Sequence, residues 1–408
     1  MKVDRDLPTG AAYRSGRRAQ ALVFLACVTA SGAVHSDGFR HPGILLDRSS
    51  IEATKLALSQ KDPLKTAAMD AMLKSPLTSL GYTPKPHAKV ICGPYSRPDI
   101  GCSDEIRDAQ AAYTQALLWA YLGDERHARK AAEIMDAWAN TLSGGHENKN
   151  APLQASWSAQ LWTRAAEIVR HTSSVWPAPD AQRFGDWLLK QYLPDINRMG
   201  ACYNGNWHAS AIEARMNIGV YTDRRDLYDG AVRQWRRQVP AYIYMQADGE
   251  RPITQPGCNR ASKDVWFRQE SLASGIAQET CRDLAHTAFG LSAFFNAAET
   301  DRLQGGNLFQ QENERLAQAM EFPTGILNAG KTPEWLCGGK LQASMNGTLE
   351  IGYAELHGRM GKELPNTAEW LSTQRPSRGH LHFLWETLTH GIKIEDPHGS
   401  RRKEKGAE

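Results

Sequence analysis

The feature that most constrains this 408-residue chain is a succession of amphipathic helical segments separated by Gly and Pro. In Glu125–Leu142, for example, Ala131, Ile134, Met135 and Trp138 form an apolar stripe at helical spacing. The helices predicted in this way cover Asp104–Leu122, Glu125–Leu142, Ser156–Arg170, Asp180–Tyr192, His208–Tyr221, Asp226–Met245, Leu284–Thr300, Leu308–Met320 and Thr348–Met360.

Helical segments of similar length that are joined by short turns predict antiparallel helix hairpins. The sequence has no clear repeat, which disfavours an open solenoid, and strand-like alternation is scarce. We therefore predict an all-α fold, an (α/α) toroid or barrel built from antiparallel helix hairpins. No linker rich in Pro and Ser interrupts the central part of the chain, so residues 33–395 are predicted to form a single domain.

The two ends of the chain differ from this central part. Arg14, Arg17 and Arg18 precede an apolar stretch at 19–28, and small residues follow up to Gly32. This order predicts a signal peptide over residues 1–32 and a secreted or periplasmic protein, the alternatives being a disordered basic leader or an interfacial helix. Residues 396–408 are predicted to be a disordered charged tail.

The chain has seven cysteines, and six of them follow the leader. Cysteines of an exported protein can pair, and Cys92 with Cys102 is the favoured pair because the two are close in sequence. The six do not form a Cys-x-x-Cys pair, so we expect no structural zinc site and no other metal.

The charge balance excludes several classes of protein. The formal net charge is +3, and residues 1–32 contain five Lys/Arg against two Asp/Glu, so the rest of the chain is close to neutral. A nucleic-acid partner is therefore not expected, and an anionic substrate would need a locally basic cleft. No apolar run is long enough for a membrane span, and phosphate-loop, dinucleotide and Gly-x-Ser-x-Gly patterns are missing, so we expect no cofactor.

The first candidate for chemistry is Tyr203-Asn-Gly-Asn206-Trp207-His208, a loop that leads into a helix. The unpaired N–H groups and positive dipole end of a helix N-terminus suit a carboxylate. Asn206 can hydrogen-bond such a group, and His208 adds a titratable nitrogen. The structural alternative is that Asn206 is an N-cap and Trp207 a core residue.

The second candidate is Gln278-Glu279-Thr-Cys-Arg282-Asp283-Leu-Ala-His286-Thr. On a helix, Glu279, Arg282 and His286 would share one face. Arg282 could then neutralise a uronate carboxylate through two hydrogen bonds, with Glu279 or Asp283 holding it in place. The alternative is a surface ion pair beside an unrelated histidine, although the apolar residues that follow indicate that this segment enters a core.

Aromatic residues form the third candidate. Trp157, Trp162 and Arg164 lie in one helical run, and sugar rings stack on aromatic faces, so these residues are candidate substrate contacts; packing in the core is the alternative. The turn-rich loop at 93–101 could line a cleft. The alternating His380 and His382 have no acidic ligand at fixed spacing and are interpreted as structural.

Asn206-Trp-His208 followed by Glu279-Thr-Cys-Arg282-Asp-Leu-Ala-His286 resembles the alginate-lyase superfamily. The run Asn346-Gly-Thr-Leu-Glu350-Ile-Gly-Tyr353 and the later Leu364-Pro-Asn366 with Arg375-Pro376 are similar to the same group, so the likeness extends from about Asp104 to Pro376.

The resemblance implies an (α/α) toroid that breaks the 1,4 bond of a polyuronate (alginate, polymannuronate or glucuronan) by β-elimination. Such a reaction neutralises the C6 carboxylate, removes the C5 proton, protonates the leaving oxygen at C4 and leaves a C4–C5 double bond. Asn206 and Arg282 match the neutralising positions, and His208 matches a histidine that assists as base or neutraliser. Trp207, Glu279 and Tyr353 are further expected substrate contacts.

One position departs from the family pattern. Family-five enzymes place a catalytic tyrosine seven residues after the arginine, where this chain has Phe289, which cannot transfer a proton. Candidates for the missing acid or base are Tyr203, His286 and Tyr244, with Tyr203 and His286 preferred because they lie inside the matching motifs.

Two other functions stay open at this point. A glycoside hydrolase on the same toroid would use two carboxylates from Glu270, Glu279 and Asp283. A catalytically silent polysaccharide-binding protein is the other alternative, because of Phe289.

Overall fold

The computed structural model describes residues 38–345, 349–377 and 379–394. The predicted signal peptide, the predicted charged tail and residues 346–348 of the run that includes Glu350 lie outside the described residues. The described residues fall in one compact unit that begins at Gly38. The domain bounds at 33 and 395 stay predictions.

Helices make up most of the described chain, and the α-helices are α1 Arg48–Ser59, α2 Pro63–Leu73, α3 Cys102–Leu122, α4 Glu125–Thr141, α5 Ala151–Thr172, α6 Ala178–Trp187, α7 Leu193–Ile196, α8 Gly205–Tyr221, α9 Arg225–Tyr242, α10 Ser262–Val265, α11 Leu284–Leu303, α12 Leu308–Gln311, α13 Asn313–Ala329, α14 Glu350–Tyr353, α15 Pro365–Gln374 and α16 Glu386–Thr389. Short 3-10 turns occupy Pro76–Thr78, Pro94–Ser96, Gln246–Asp248 and Cys337–Gly339, and π-helical turns occupy Leu188–Tyr192 and Ala354–Arg359. None of the described helices is long and apolar enough to cross a membrane.

The helices form two layers that close into a ring. Helices α3, α5, α8 and α11 pack side by side as an inner row, and α4 and α9 pack outside that row. The inner helices α5, α8 and α11 are buried nearly all the way round, whereas α4 and α9 keep a polar outer face. Contacts of α11 with α14, α14 with α16, α16 with α1 and α1 with α3 close the circuit. This arrangement confirms the predicted (α/α) toroid.

Most predicted helices are present, with shifted ends, and α11 starts at Leu284 as predicted. Residues 279–282 form a turn before it, so Glu279 and Arg282 do not share a helical face with His286. Asp283 is the N-cap of α11, because its side chain accepts the backbone N–H of His286 at 2.7 Å. The preceding backbone is held instead by bonds from Gln278 N to Tyr242 O and from Tyr244 N to Ile276 O. These long-range bonds override the local helical spacing.

Four predicted helices are divided or shortened. The segment predicted at 308–320 is divided at Glu312 into α12 and α13, and the helix predicted to reach Met245 ends at Tyr242. The segment predicted at 180–192 ends as α-helix at Trp187 and continues as a π-helical turn. The helix predicted from Thr348 starts at Glu350.

Short strands and three disulfides fix the loops of the toroid. The strands are β1 Val90–Cys92, β2 Asp99–Ile100 and β3 His146–Glu147, in the order β2-β1-β3, with β1 antiparallel to β2 and parallel to β3. The predicted pair Cys92–Cys102 is joined, and Cys202–Cys258 and Cys281–Cys337 form the other two bridges. The last two tie down the loops that carry Tyr203 and Arg282.

His146 of β3 forms a buried ionic contact with two carboxylates. Its ring nitrogens lie 3.0 Å from Glu105 on α3 and 3.0 Å from Asp195 on α7. Burial alone would lower the pKa of His146, but the charges and hydrogen bonds of Glu105 and Asp195 outweigh it and raise the pKa to about 9. The imidazolium thus holds the small sheet against two helices.

This contact predicts a pH-dependent stability. Because the folded pKa lies above the unfolded value, the contribution is complete below about pH 6.5 and is lost progressively up to about pH 9. The loss is on the order of 3 kcal/mol over this range. Urea unfolding of wild type and H146N along this pH series measures it, and we expect a shallower decline for H146N. Parallel declines in the two proteins would show that His146 is not the source.

Candidate active site

The N-terminus of α8 is capped by side chains from a distant turn. The backbone N–H of Gly205 donates to Gln278 Oε1 at 2.7 Å, and that of Asn206 donates to Glu279 Oε2 at 2.9 Å. The Asn206 amide Nδ2 lies 2.7 Å from both oxygens of Glu279, which is fully buried. The N-cap position belongs to Asn204, which makes no side-chain capping bond, so the interpretation of Asn206 as N-cap is wrong.

This capping has a direct electrostatic consequence. The carboxylate bound at the positive end of α8 is the protein's own Glu279. Gly205 permits the close approach, since a Cβ there would lie 2.0 Å from Cδ2 of Tyr242. The Tyr242 hydroxyl lies 3.4 Å from Glu279 Oε2, and burial, together with that carboxylate, raises its pKa well above the usual value. The Tyr242 phenol therefore stays protonated.

Arg282 lies between the buried carboxylate of Glu279 and the surface. Its Nη1 donates to Glu279 Oε1 at 2.8 Å, and its side chain is 22% exposed. A guanidinium has five N–H donors, so most of them remain available to a ligand after this contact. Glu279 thus holds Asn206 on one side and Arg282 on the other, at the junction of α8 with the turn before α11.

Asp283 and His286 form a carboxylate–imidazole pair next to Arg282. The Nδ1–H of His286 donates to both carboxylate oxygens of Asp283 at 2.7 Å. Burial would raise the pKa of Asp283, but its hydrogen bonds from His286 outweigh burial and lower it. With Nδ1 bound in this way, the lone pair of the imidazole lies on Nε2. The pair has the geometry that orients a histidine as a general base.

Phe289 stands in a cluster of rings beside this pair. It is only 5% exposed, and its ring centroid lies 5.5 Å from His286, 5.6 Å from His380 and 6.0 Å from both Trp157 and His382. Trp157 stacks on His382 with parallel planes. At the position where the alginate lyases that the sequence resembles have a tyrosine, this chain therefore has an apolar ring that packs against three imidazoles.

His208 is buried within the protein. It is 5% exposed, and neither of its ring nitrogens makes a hydrogen bond of ordinary geometry with a described residue. Burial, with the nearby charge of Arg215, lowers the pKa of His208 to about 4, so its ring is neutral at physiological pH. Two residues apart on one helix, Asn206 and His208 do not face the same side.

Tyr203 and Trp207 form an aromatic platform at the start of α8. Their rings stack at 4.7 Å with an interplanar angle of 8°, and Tyr203 is 38% exposed. Gln255 donates to the carbonyl oxygen of Tyr203 at 2.7 Å and accepts a bond from Gln278 Nε2 at 2.9 Å. The Tyr203 loop is thereby linked to the turn that holds Glu279.

Several predicted site residues lie away from this surface. Trp162 and Arg164 are fully buried, the first bonded to the Tyr192 hydroxyl and the second paired with Glu213, so we remove both from the substrate-binding set. Tyr353, 2% exposed, packs on His357 and is removed for the same reason.

The remaining acid and base candidates are also placed. Tyr244, a candidate acid, is buried and donates to the carbonyl of Gly249 at 2.7 Å. Glu270 is exposed.

Three residues of the site had no functional role in the sequence prediction. Gln278 accepts the N–H of Gly205, the Tyr242 hydroxyl lies 3.4 Å from Glu279 Oε2, and His380 packs on Phe289. The position of Gln278 directly before Glu279 was a usable signal, whereas Tyr242 at the end of α9 has no local pattern that marks it. His380 also lines a cavity of about 840 Å³ together with Trp370, Arg375 and Trp385.

Comparisons with known proteins agree with this architecture. The family model described as alginate lyase matches residues 101–330. A variant of alginate lyase A1-III, solved as a complex with a tetrasaccharide, is 17% identical with a TM-score of 0.55, covering 79% of this chain and 90% of that one. Alginate lyase A1-III from Sphingomonas species A1 is 16% identical (TM-score 0.51; 86% and 99% covered).

A third solved structure has the same fold. An alginate lyase from Bacteroides ovatus is 12% identical, with a TM-score of 0.52, and the alignment covers 86% of this chain and 95% of that one. At these identities the solved structures show a shared fold. No curated protein matches the chain in the corresponding sequence comparison.

The bridging role of Glu279 gives a stability prediction. Glu279→Ala leaves the side-chain amide and the backbone N–H of Asn206 without their acceptor and Arg282 without its partner, so we expect a loss of about 3 kcal/mol. Glu270→Ala, at an exposed carboxylate on a nearby loop, should change stability by no more than about 0.5 kcal/mol. Urea unfolding measures both, and equal values for the two variants would contradict the anchoring role of Glu279.

Proposed function

The chain belongs to the alginate lyase family, and we propose that this polysaccharide lyase cleaves a 1,4-linked polyuronate by β-elimination. Alginate, polymannuronate and glucuronan are the proposed substrates, and the product carries a C4–C5 unsaturated uronate end. One observation carries the proposal. The partly exposed guanidinium of Arg282, which is held by Glu279, lies next to the Asp283–His286 pair.

In this proposal, Arg282 neutralises the C6 carboxylate of the substrate. Its free donors can form two parallel hydrogen bonds to a carboxylate, which withdraws charge from C6 and acidifies the C5 proton. Asn206 is fully buried and its amide donates to Glu279, so we assign it the role of positioning Arg282 through that carboxylate. His208, buried and neutral, is proposed to support the N-terminal turn of α8 from within.

Removal of the C5 proton is assigned to His286. Asp283 fixes its Nδ1–H, so Nε2 can accept a proton and the resulting imidazolium is stabilised by the same carboxylate. Tyr203 is the proposed acid for the leaving oxygen at C4, because it is the exposed phenol in the matching motif. Phe289 takes no part in proton transfer and supplies an apolar contact for the sugar ring.

Aromatic faces are proposed to hold the chain of sugars. Trp157 and the Tyr203–Trp207 pair are partly exposed, and such faces stack on the apolar sides of pyranose rings. The neighbouring cavity adds two tryptophans and Arg375. An extracellular or periplasmic location is proposed as well, supported by the three disulfides, which persist in oxidising compartments.

The predicted activity is measurable from its product. The purified protein is incubated with alginate, polymannuronate and glucuronan in turn. We expect it to shorten at least one of these polymers and to raise the ultraviolet absorbance in proportion to the number of bonds cut, because elimination creates a conjugated double bond. Shortening without absorbance would indicate hydrolysis. Binding without cleavage would indicate a silent carbohydrate-binding protein.

The proposed roles predict different kinetic losses. His286→Gln removes the base and should lower kcat by about 10²–10⁴-fold with little change in KM. Arg282→Lys keeps the charge but loses the bidentate fork, so both KM and kcat should worsen. Tyr203→Phe removes only the hydroxyl, and Glu270→Ala is the control expected to be near normal. Wild-type rates for H286Q would overturn the assignment of the base.

A further inference from the structure

A second cluster of titratable side chains lies at the C-terminal end of α5, apart from the candidate active site. His41, in the segment before α1, places Nδ1 2.6 Å from Oε1 of Glu167. His171, one turn further along α5, places Nε2 3.7 Å from the other oxygen of Glu167, Oε2. The two imidazole rings stack at 4.2 Å with an interplanar angle of 10°. One potential ligand atom from each residue lies within 4.8 Å of the others.

The contact between Glu167 and His171 is not explained by hydrogen bonding. At 3.7 Å the two atoms are too far apart for such a bond, and both Glu167 Oε2 and His171 Nε2 are buried without a hydrogen-bond partner among the described residues. Buried polar atoms are normally satisfied, so this pair needs another partner. Ligands at 2.0–2.1 Å around a tetrahedral ion are separated by about 3.3–3.4 Å, close to the observed spacing.

The donor types fit a transition metal. Two imidazoles and one carboxylate form a common donor set for zinc, and the fully buried side chain of Glu167 would supply the negative charge.

The surroundings supply supporting contacts. Asp223, in the loop after α8, lies 3.2 Å from Nε2 of His41, the arrangement in which a carboxylate orients a metal-bound histidine. The backbone N–H of Gly43 donates to Glu167 Oε1 at 3.0 Å. Arg48 and Arg170 lie near His171 and oppose a cation, but Glu167 and Asp223 offset them. Side-chain exposure of 16% for His41 and 22% for His171 leaves a path for an ion.

We propose that His41, Glu167 and His171 bind a divalent transition metal ion, with zinc as the best fit, and that Asp223 orients His41. The metal takes the place of the proton between His41 and Glu167 and joins the segment before α1 to the inner helix α5. Because two parallel stacked rings cannot both direct an in-plane lone pair at one ion, binding turns the ring of His171 out of the stack. This site is structural and does not depend on the activity proposed above.

Zinc binding to the full-length protein, without a histidine tag and after chelator treatment, tests the proposal. Calorimetric titration with Zn²⁺ should give one equivalent for wild type, and a chromogenic chelator should confirm that stoichiometry. Zinc should also raise the thermal unfolding midpoint by a few degrees, because an ion that binds only the folded state stabilises it. A wild-type protein that binds no zinc and shows no shift would overturn the site.

Variants locate the binding. H171A and E167Q should each weaken zinc binding at least tenfold and abolish the thermal shift, while D223N should weaken it by roughly 10- to 100-fold as an orienting contact. E167Q keeps the size of the side chain and the bond from Gly43, so it serves if H171A does not fold. H87A is the matched control, because His87 pairs with Asp104 elsewhere on the surface and should leave zinc binding unchanged. Equal binding by wild type and E167Q would contradict the assignment.

Discussion

The buried ion pair between Arg164 and Glu213 is the interaction on which the inner layer depends. Both side chains are essentially without solvent contact, and they join α5 to α8. Arg164 also donates to the carbonyl of His382 at 2.6 Å, and Asn296 of α11 donates to Glu213 at 3.2 Å. Loss of one partner of such a pair leaves an uncompensated buried charge, which typically costs about 3–5 kcal/mol. The network therefore fixes the relative positions of the elements that carry Asn206, Trp157 and His382.

A second buried carboxylate, Glu279, holds the partly exposed Arg282 in place. It satisfies the N-terminus of α8 through Asn206 and holds Arg282 by an ion pair. A helix N-terminus alone attracts anions, and here the protein fills that position with its own carboxylate. In the proposed function, recognition of an external carboxylate consequently falls to the remaining donors of Arg282, whose partly exposed guanidinium is held by Glu279. Holding the guanidinium in advance reduces the reorganisation needed when charge develops in the substrate.

The sequence predicted the architecture better than the site. Apolar periodicity identified the main helices, because each inner or outer helix buries a face of helical period, and proximity in sequence identified Cys92–Cys102. The helical face considered for Glu279, Arg282 and His286 is not formed, because backbone bonds to Tyr242 and Tyr244 decide the turn before α11. Arg164 was a candidate substrate contact because the sequence does not show its partner, Glu213, which lies 49 positions away and one helix further along. The His41–Glu167 contact spans 126 positions and has no local signature at all.

The replacement of a tyrosine by Phe289 changes what the protein must do to remove a proton. A phenol ordinarily titrates near pH 10 and an imidazole near 6.5, so a tyrosine used as base has to be shifted by roughly three units, about 4 kcal/mol of electrostatic stabilisation. A histidine needs little of that support, only a carboxylate that fixes its tautomer, and Asp283 supplies it as the N-cap of α11. In the proposed mechanism, the apolar ring of Phe289 excludes water from one side of His286. It would thereby strengthen the attraction between the imidazolium formed in the proposed reaction and the carboxylate of Asp283.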